Sequence, residues 1–224
     1  MASFEQHVNG AVVASGIAVV PLYTSSIIDV NQSLVLLGLG MLGGVLPDLD
    51  SDNSKPIQIS MRILSLFLPL LAVLALVEEL SLIKILSIWL GAFVFLNYVV
   101  FEIFFRFTVH RGIFHSVPMG LFLGLVFIFV FHDIFEYDSF FSTLSGVFLF
   151  FGFIVHLVLD ELVSLNALGL HIKKSFGTAL KLYDKHNIYG SISLYVLIAI
   201  MLYSVDIDID VFAKVYNSFE NIKL

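Results

Sequence analysis

The chain has 224 residues, 59% of them hydrophobic and 13% charged, with a formal net charge of −7. That balance lies outside the range of ordinary soluble domains, and the length suits one domain spanning residues 1–224. No cysteine is present, which excludes disulfides and thiolate metal sites; no nucleic-acid partner is expected.

Seven apolar segments follow one another. The opening MASFEQHVNG carries no basic n-region, so no cleavable signal peptide is expected. The first segment covers about residues 8–23. The second, about 34–46, is glycine-rich (LGLGMLGG). Both are short for a full crossing and read as a tight hairpin of buried or tilted helices. Gly40 and Gly44 give the second a small-xxx-small face that permits close backbone approach. Segments at 57–77, 82–105, 117–131, 141–162 and 188–203 each approach the roughly 20 residues needed to span a bilayer. The expected fold is all-α: a polytopic helical membrane protein of about seven apolar helices.

The polar residues fall into place on this ladder. If successive segments cross, His7, the acidic run PDLDSDNS (47–54), His110 and His115, and His156 with Asp160 all reach one membrane face. His132, beside Asp133, is the exception and reads as interfacial. Lys55, Arg62, Arg106, Arg111, Lys173, Lys174, Lys181 and Lys185 share the face of the cluster. Lys84, Lys214 and Lys223 lie on the other, among Asp29, Glu78, Glu79, Asp133, Glu136, Asp138, Asp206, Asp208 and Asp210. The positive-inside rule then places the cluster in the cytoplasm, the N-terminus in and the C-terminus out.

The polar clusters carry the chemistry. In HLVLD, His156 and Asp160 are four apart, so on a helix their Cβ atoms lie about 5–6 Å apart. Such a pair either shares a metal ion or forms a mutually satisfied buried contact. In PDLDSDN, Asp48, Asp50 and Asp52 alternate after a helix-stopping proline. A solvated acidic loop is one reading; a cation relieving their repulsion is the other. The spacing is not that of an EF-hand. In HRGIFHS, Gly112 permits a turn that lets His110 and His115 converge, and Arg111 suits an anionic group. Imidazoles and carboxylates without thiolates suit zinc, and also manganese or iron. Ionisable residues in or beside membrane helices are functional candidates by default.

LPDLDSDNS, HRGIFHS and HLVLDEL, in this order after an N-terminal histidine, resemble the YdjM-type bacterial inner-membrane, metal-dependent hydrolases. IKKSFGTALKLY (172–183) fits the same pattern, so the resemblance runs from His7 to about Tyr183. It implies distant similarity to the zinc-dependent phospholipases C and single-strand-specific zinc nucleases, helical enzymes with three zinc ions. His7, Asp48, His110, His115 and His156 with Asp160 match their ligand order. Two departures leave the metal count open between one and three. The soluble enzymes use their N-terminal residue as a ligand, whereas six residues precede His7, and they hold more His-xxx-acid pairs than this chain.

Other classes lack their motifs. There is no HExxH and no G-x-S-x-G. The arginine that a phosphatidic-acid phosphatase needs six residues before the His-xxx-Asp histidine is Phe150 here. The expected function is therefore hydrolysis of a phosphoester in a lipid-like substrate, by water activated on Zn2+, with Mn2+ as the alternative ion. His7, Asp48, Asp52, His110, His115, His156 and Asp160 are the candidate ligands. Asp50 or Asp48 is the candidate base, and Arg111, Lys173, Lys174 and Ser175 would hold the phosphate. Two competing readings use the same residues. One is an ion or proton path, which would continue through the midplane, where only Asn97 and Glu102 are candidates. The other is a scaffold with a structural metal.

Overall fold

In the computed structural model, residues 2–50, 81–95, 113–164 and 180–220 are described. Among them are seven α-helices and no strand: α1 (Phe4–Thr24), α2 (Val30–Gly43), α3 (Leu82–Phe95), α4 (Val117–Phe129), α5 (Ser139–Ser164), α6 (Ile188–Ser204) and α7 (Asp210–Glu220). The chain forms two compact units, Met1–Pro47 with Gly112–Leu224, and Asp48–Arg111. Of the second unit, the described helix is α3, an apolar stretch whose Leu82, Ile83, Leu86 and Leu90 are exposed. The segment expected at 57–77 and the end of that at 82–105 lie outside the described residues.

The first unit holds the other six helices. Ser3 caps α1 through a reciprocal box: its Oγ accepts the Gln6 N–H at 3.3 Å, and Gln6 Oε1 accepts the Ser3 N–H at 2.7 Å. Asp29 and Gln32 cap α2 in the same way. These caps draw polar first turns into both helices, so the first two segments are longer than their apolar runs. The apolar helices Phe4–Thr24 and Val30–Asp48 have 21 and 19 residues. Both are long enough to cross a membrane, which corrects the expectation that they are short. Val117–Ile134, which ends in a π-turn, and Ser139–Ser164 are equally long enough. Ile188–Ser204 is a shorter apolar helix, capped by Asn187 Oδ1 accepting the Gly190 N–H at 2.9 Å. The helix α7, beyond the last apolar run, was not expected.

α5 is the hub: α1, α2, α4 and α7 all pack on it. Between helices in lipid there is little hydrophobic drive, so association rests on close packing of small residues. α2 and α5 meet backbone to backbone at Gly40 and Gly152: a Cβ on Gly152 would overlap the Gly40 carbonyl, while one on Gly40 would overlap Ser15 of α1. A Cβ on Gly43 would overlap the Leu149 carbonyl, and one on Gly44 would meet Ala11 of α1. Gly124 of α4 and Gly146 of α5 repeat the device on the other flank. The close-packing face read from Gly40 and Gly44 is thus present. One core joins Leu22, Leu36, Leu144 and Leu149; a second joins Met119, Phe153, Leu157 and Leu194. On α1, Val13, Ile17 and Val20 form an exposed stripe, while His7, Ala11, Ser15, Val19 and Leu22 turn inward.

Candidate metal centre

Four ionisable side chains meet at one end of this unit. His7 comes from the first turns of α1, and His156 and Asp160 from the last turns of α5. His115 comes from the turn before α4. They are 1%, 0%, 5% and 4% exposed respectively, so water satisfies none of them to any extent. α1 begins at this end, α2 finishes there, α4 begins and α5 finishes. The expected convergence of His7, His115, His156 and Asp160 follows from that alternation.

Asp160 is the pivot. Its Oδ1 accepts the Ala2 backbone N–H at 2.8 Å and lies 3.3 Å from His7 Nε2. Its Oδ2 lies 3.2 Å from His115 Nε2. His156 reaches the group by ring contact. Its imidazole stacks on that of His7 with centroids 3.6 Å apart and planes 10° from parallel, and meets His115 edge-on at 5.3 Å. His156 Nδ1 lies 2.7 Å from the Gly44 carbonyl oxygen at the end of α2. A carbonyl can only accept, so Nδ1 carries a proton, which leaves Nε2 as the ring's metal-binding atom.

The donor set fits a divalent ion. His7, His156 and Asp160 each offer one ligand atom, all within 4.8 Å of one another. Two ligand atoms each about 2.0–2.1 Å from a tetrahedral zinc lie about 3.3–3.4 Å apart. The His7–Asp160 and His115–Asp160 separations of 3.3 and 3.2 Å are of that size, and longer than a charge-assisted hydrogen bond of about 2.7–2.9 Å. Nδ1 of His7 and Nδ1 of His115 are buried without a hydrogen-bond partner among the described residues, and His7 Nε2 has only the long contact to Asp160. A buried carboxylate compensated by one backbone N–H and such loose imidazole contacts is costly unless a cation joins it. With sulfur absent, three imidazoles and a carboxylate suit zinc, manganese or iron.

The remaining sequence candidates divide. Asp48 and Asp50 sit in the short 3-10 turn Leu46–Asp50 after α2. Asp52, His110, Arg111, Lys173, Lys174 and Ser175 lie outside the described residues. Two groups escaped the sequence reading: the Ala2 amide and the Gly44 carbonyl. A backbone atom leaves no residue-type signal, although the glycine that lets α2 approach α5 had been marked for packing. His132, as expected, lies away from the cluster, within the π-turn Val130–Ile134, with Nδ1 3.1 Å from the Tyr137 carbonyl oxygen.

Among known proteins, the family model described as YdjM inner membrane protein matches residues 1–171. No curated protein and no solved structure matches the chain.

Proposed function

The chain belongs to the YdjM inner membrane protein family, and from the side chains gathered at one end of its helices we propose that it is a metal-dependent hydrolase acting on a phosphoester of a lipid-like substrate. The observation that carries the proposal is the buried His7–His115–His156–Asp160 cluster, in which Nδ1 of both His7 and His115 lacks a hydrogen-bond partner among the described residues. His7, His156 and Asp160 form the ligand core. Three protein ligands leave a coordination position open, as catalytic rather than structural zinc sites do. When bound, a divalent ion there supplies Lewis-acid chemistry, activating a water as nucleophile and polarising a phosphoryl oxygen.

The chain's own groups prepare that chemistry. The Gly44 carbonyl holds the His156 ring in one tautomer and orientation. The Ala2 amide and His115 hold the two oxygens of Asp160, so the carboxylate cannot rotate away. A divalent ion facing the single carboxylate of the cluster would give the site a net positive charge. That sign favours an anionic phosphoester. Depth also supports a lipid-like substrate. Counted from Ser139, the roughly 20 residues of a span end near residue 158, between His156 and Asp160, where a head group would sit. From the sequence, Asp48 or Asp50 would serve as base, and Arg111 with Lys173, Lys174 and Ser175 would hold the phosphate. From the sequence, the positive-inside rule would put the site on the cytoplasmic side.

The test has two arms. Metal content is measured by mass spectrometry in purified wild type and Asp160→Ala, and turnover is measured over lipid and small phosphoesters with and without chelator. Stoichiometric metal in the wild type alone, with turnover lost on chelation and restored by zinc or manganese, is expected. Equal trace metal in both proteins would sink the metal site. Bound metal with no turnover on any phosphoester would leave a structural site and overturn the hydrolase.

A further inference from the structure

The end of the first unit opposite the His/Asp cluster carries a helix that the site does not use. α7 lies beyond residue 171, where the family match stops. With 11 residues it is about 16 Å long, too short to cross the roughly 30 Å hydrocarbon core. It is nevertheless built into the unit. Val211 and Val215 join the core, and α7 packs on α1 and α5. The Asp208 N–H just before it donates to Thr143 Oγ1 at 3.0 Å, and Lys214 Nζ lies 4.3 Å from the Phe140 ring centroid. Thr143 and Phe140 belong to the first turns of α5, which fixes α7 at that end.

The helix has three faces. Val211, Val215 and Ser218 point to the protein. At about 100° per residue, Phe212, Tyr216 and Phe219 fall roughly 110° to one side, and all three are exposed. Asp210, Lys214 and Asn217 fall roughly 90° to the other. An aromatic flank and a charged flank on opposite sides of a core-anchored helix suit neither water nor hydrocarbon alone. They suit the boundary between them. Exposed Tyr23, Tyr137 and Tyr203, at the end of α1, in the α4–α5 turn and at the end of α6, lie at the same end, as an interfacial tyrosine belt would. α1 and α5, on which α7 rests, are themselves long and apolar enough to span, so the aromatic flank continues a surface that meets lipid.

We propose that α7 is an interfacial helix that seats Phe212, Tyr216 and Phe219 at the headgroup–acyl boundary of the face opposite the His/Asp cluster, fixing the depth of the bundle in the bilayer. The chain has one tryptophan, Trp89. In a Trp89→Phe background, Tyr216→Trp and Asn217→Trp proteins are reconstituted separately into phosphatidylcholine vesicles. The acyl chains are brominated either near the ester or near the methyl end. For Tyr216→Trp the expected result is blue-shifted emission, quenched more strongly by the near-ester bromines. For Asn217→Trp it is red-shifted emission, quenched by aqueous iodide and insensitive to bromine. Iodide-accessible emission from Tyr216→Trp overturns the proposal. So does blue-shifted emission from it that neither bromine position quenches, which would mean that a second copy of the chain covers the flank. Equal bromine quenching at both positions overturns it too, because the helix would then be submerged.

Discussion

Gly152→Ala tests the link between helix packing and the site. A Cβ at Gly152 overlaps the Gly40 carbonyl oxygen and comes within 2.7 Å of the Gly40 carbonyl carbon and 3.0 Å of its Cα. All three are backbone atoms, so no rotamer change relieves the clash, and α2 must move off α5. The carbonyl oxygen is the closest of the three and sets the displacement: restoring ordinary contact there needs a shift of more than about 1 Å. Gly44 lies one turn beyond Gly40, and His156 one turn beyond Gly152. The same displacement therefore stretches their 2.7 Å hydrogen bond beyond about 3.5 Å, where it is effectively lost. Overpacking costs about 1–3 kcal/mol and a stranded buried polar group about 1–3 kcal/mol more; the better helix propensity of alanine returns up to about 1 kcal/mol. A net destabilisation of about 1–4 kcal/mol follows, with Tm falling by roughly 2–4 °C for each kcal/mol. Thermal unfolding in detergent followed by circular dichroism reads this, and metal content reads the damage at His156. Gly38→Ala is the control, on the same helix but with nothing within 4 Å of the added Cβ. Gly152→Ala matching Gly38→Ala in both Tm and metal content would refute the reasoning.

Three further outcomes are expected. His7→Ala removes a ligand of the proposed core and should abolish stoichiometric metal, whereas His115→Ala, which leaves His7, His156 and Asp160 in place, should weaken metal affinity about 10–100-fold, read by competition with a fluorescent chelator. Ser3→Ala breaks the capping box that starts the helix carrying His7; a loss of about 0.5–2 kcal/mol in thermal unfolding is expected, and slower amide exchange in the first turn of α1 would contradict it. Ala2→Pro deletes the N–H that holds Asp160 Oδ1 at 2.8 Å, so metal affinity should fall and thermal unfolding should show a loss of about 1–3 kcal/mol.

The site was legible in the sequence to the extent that it was made of side chains on helices of known direction. His156 and Asp160 announce themselves by their i, i+4 spacing in an apolar run. His7 and His115 follow once the apolar segments are taken to alternate, because each then begins or precedes a helix at the end where α5 finishes. The lengths of α1 and α2 were underestimated because apolar counting stops at the first polar residue, whereas Ser3–Gln6 and Asp29–Gln32 extend those helices through hydrogen bonds between their own polar groups. α7 was missed for a related reason. Its apolar residues are split between two faces, so no continuous run marks it.

The sequence by itself determined that this is a helical membrane protein of the inner-membrane family it matches, because long apolar runs can satisfy their backbone in lipid only as helices or closed barrels. It also determined that imidazoles and a carboxylate gather at one end of the helices. Only the tertiary structure decided how they gather. Asp160 is shared between His7 and His115 because three helix ends converge on it. His156 is held in one tautomer because Gly43 and Gly152 let α2 approach α5 closely enough for the Gly44 carbonyl to reach its ring. Residue spacing sets which side chains share a face of one helix. The distance between two helices is set by the atoms that meet where they cross, and that is not written in either segment alone.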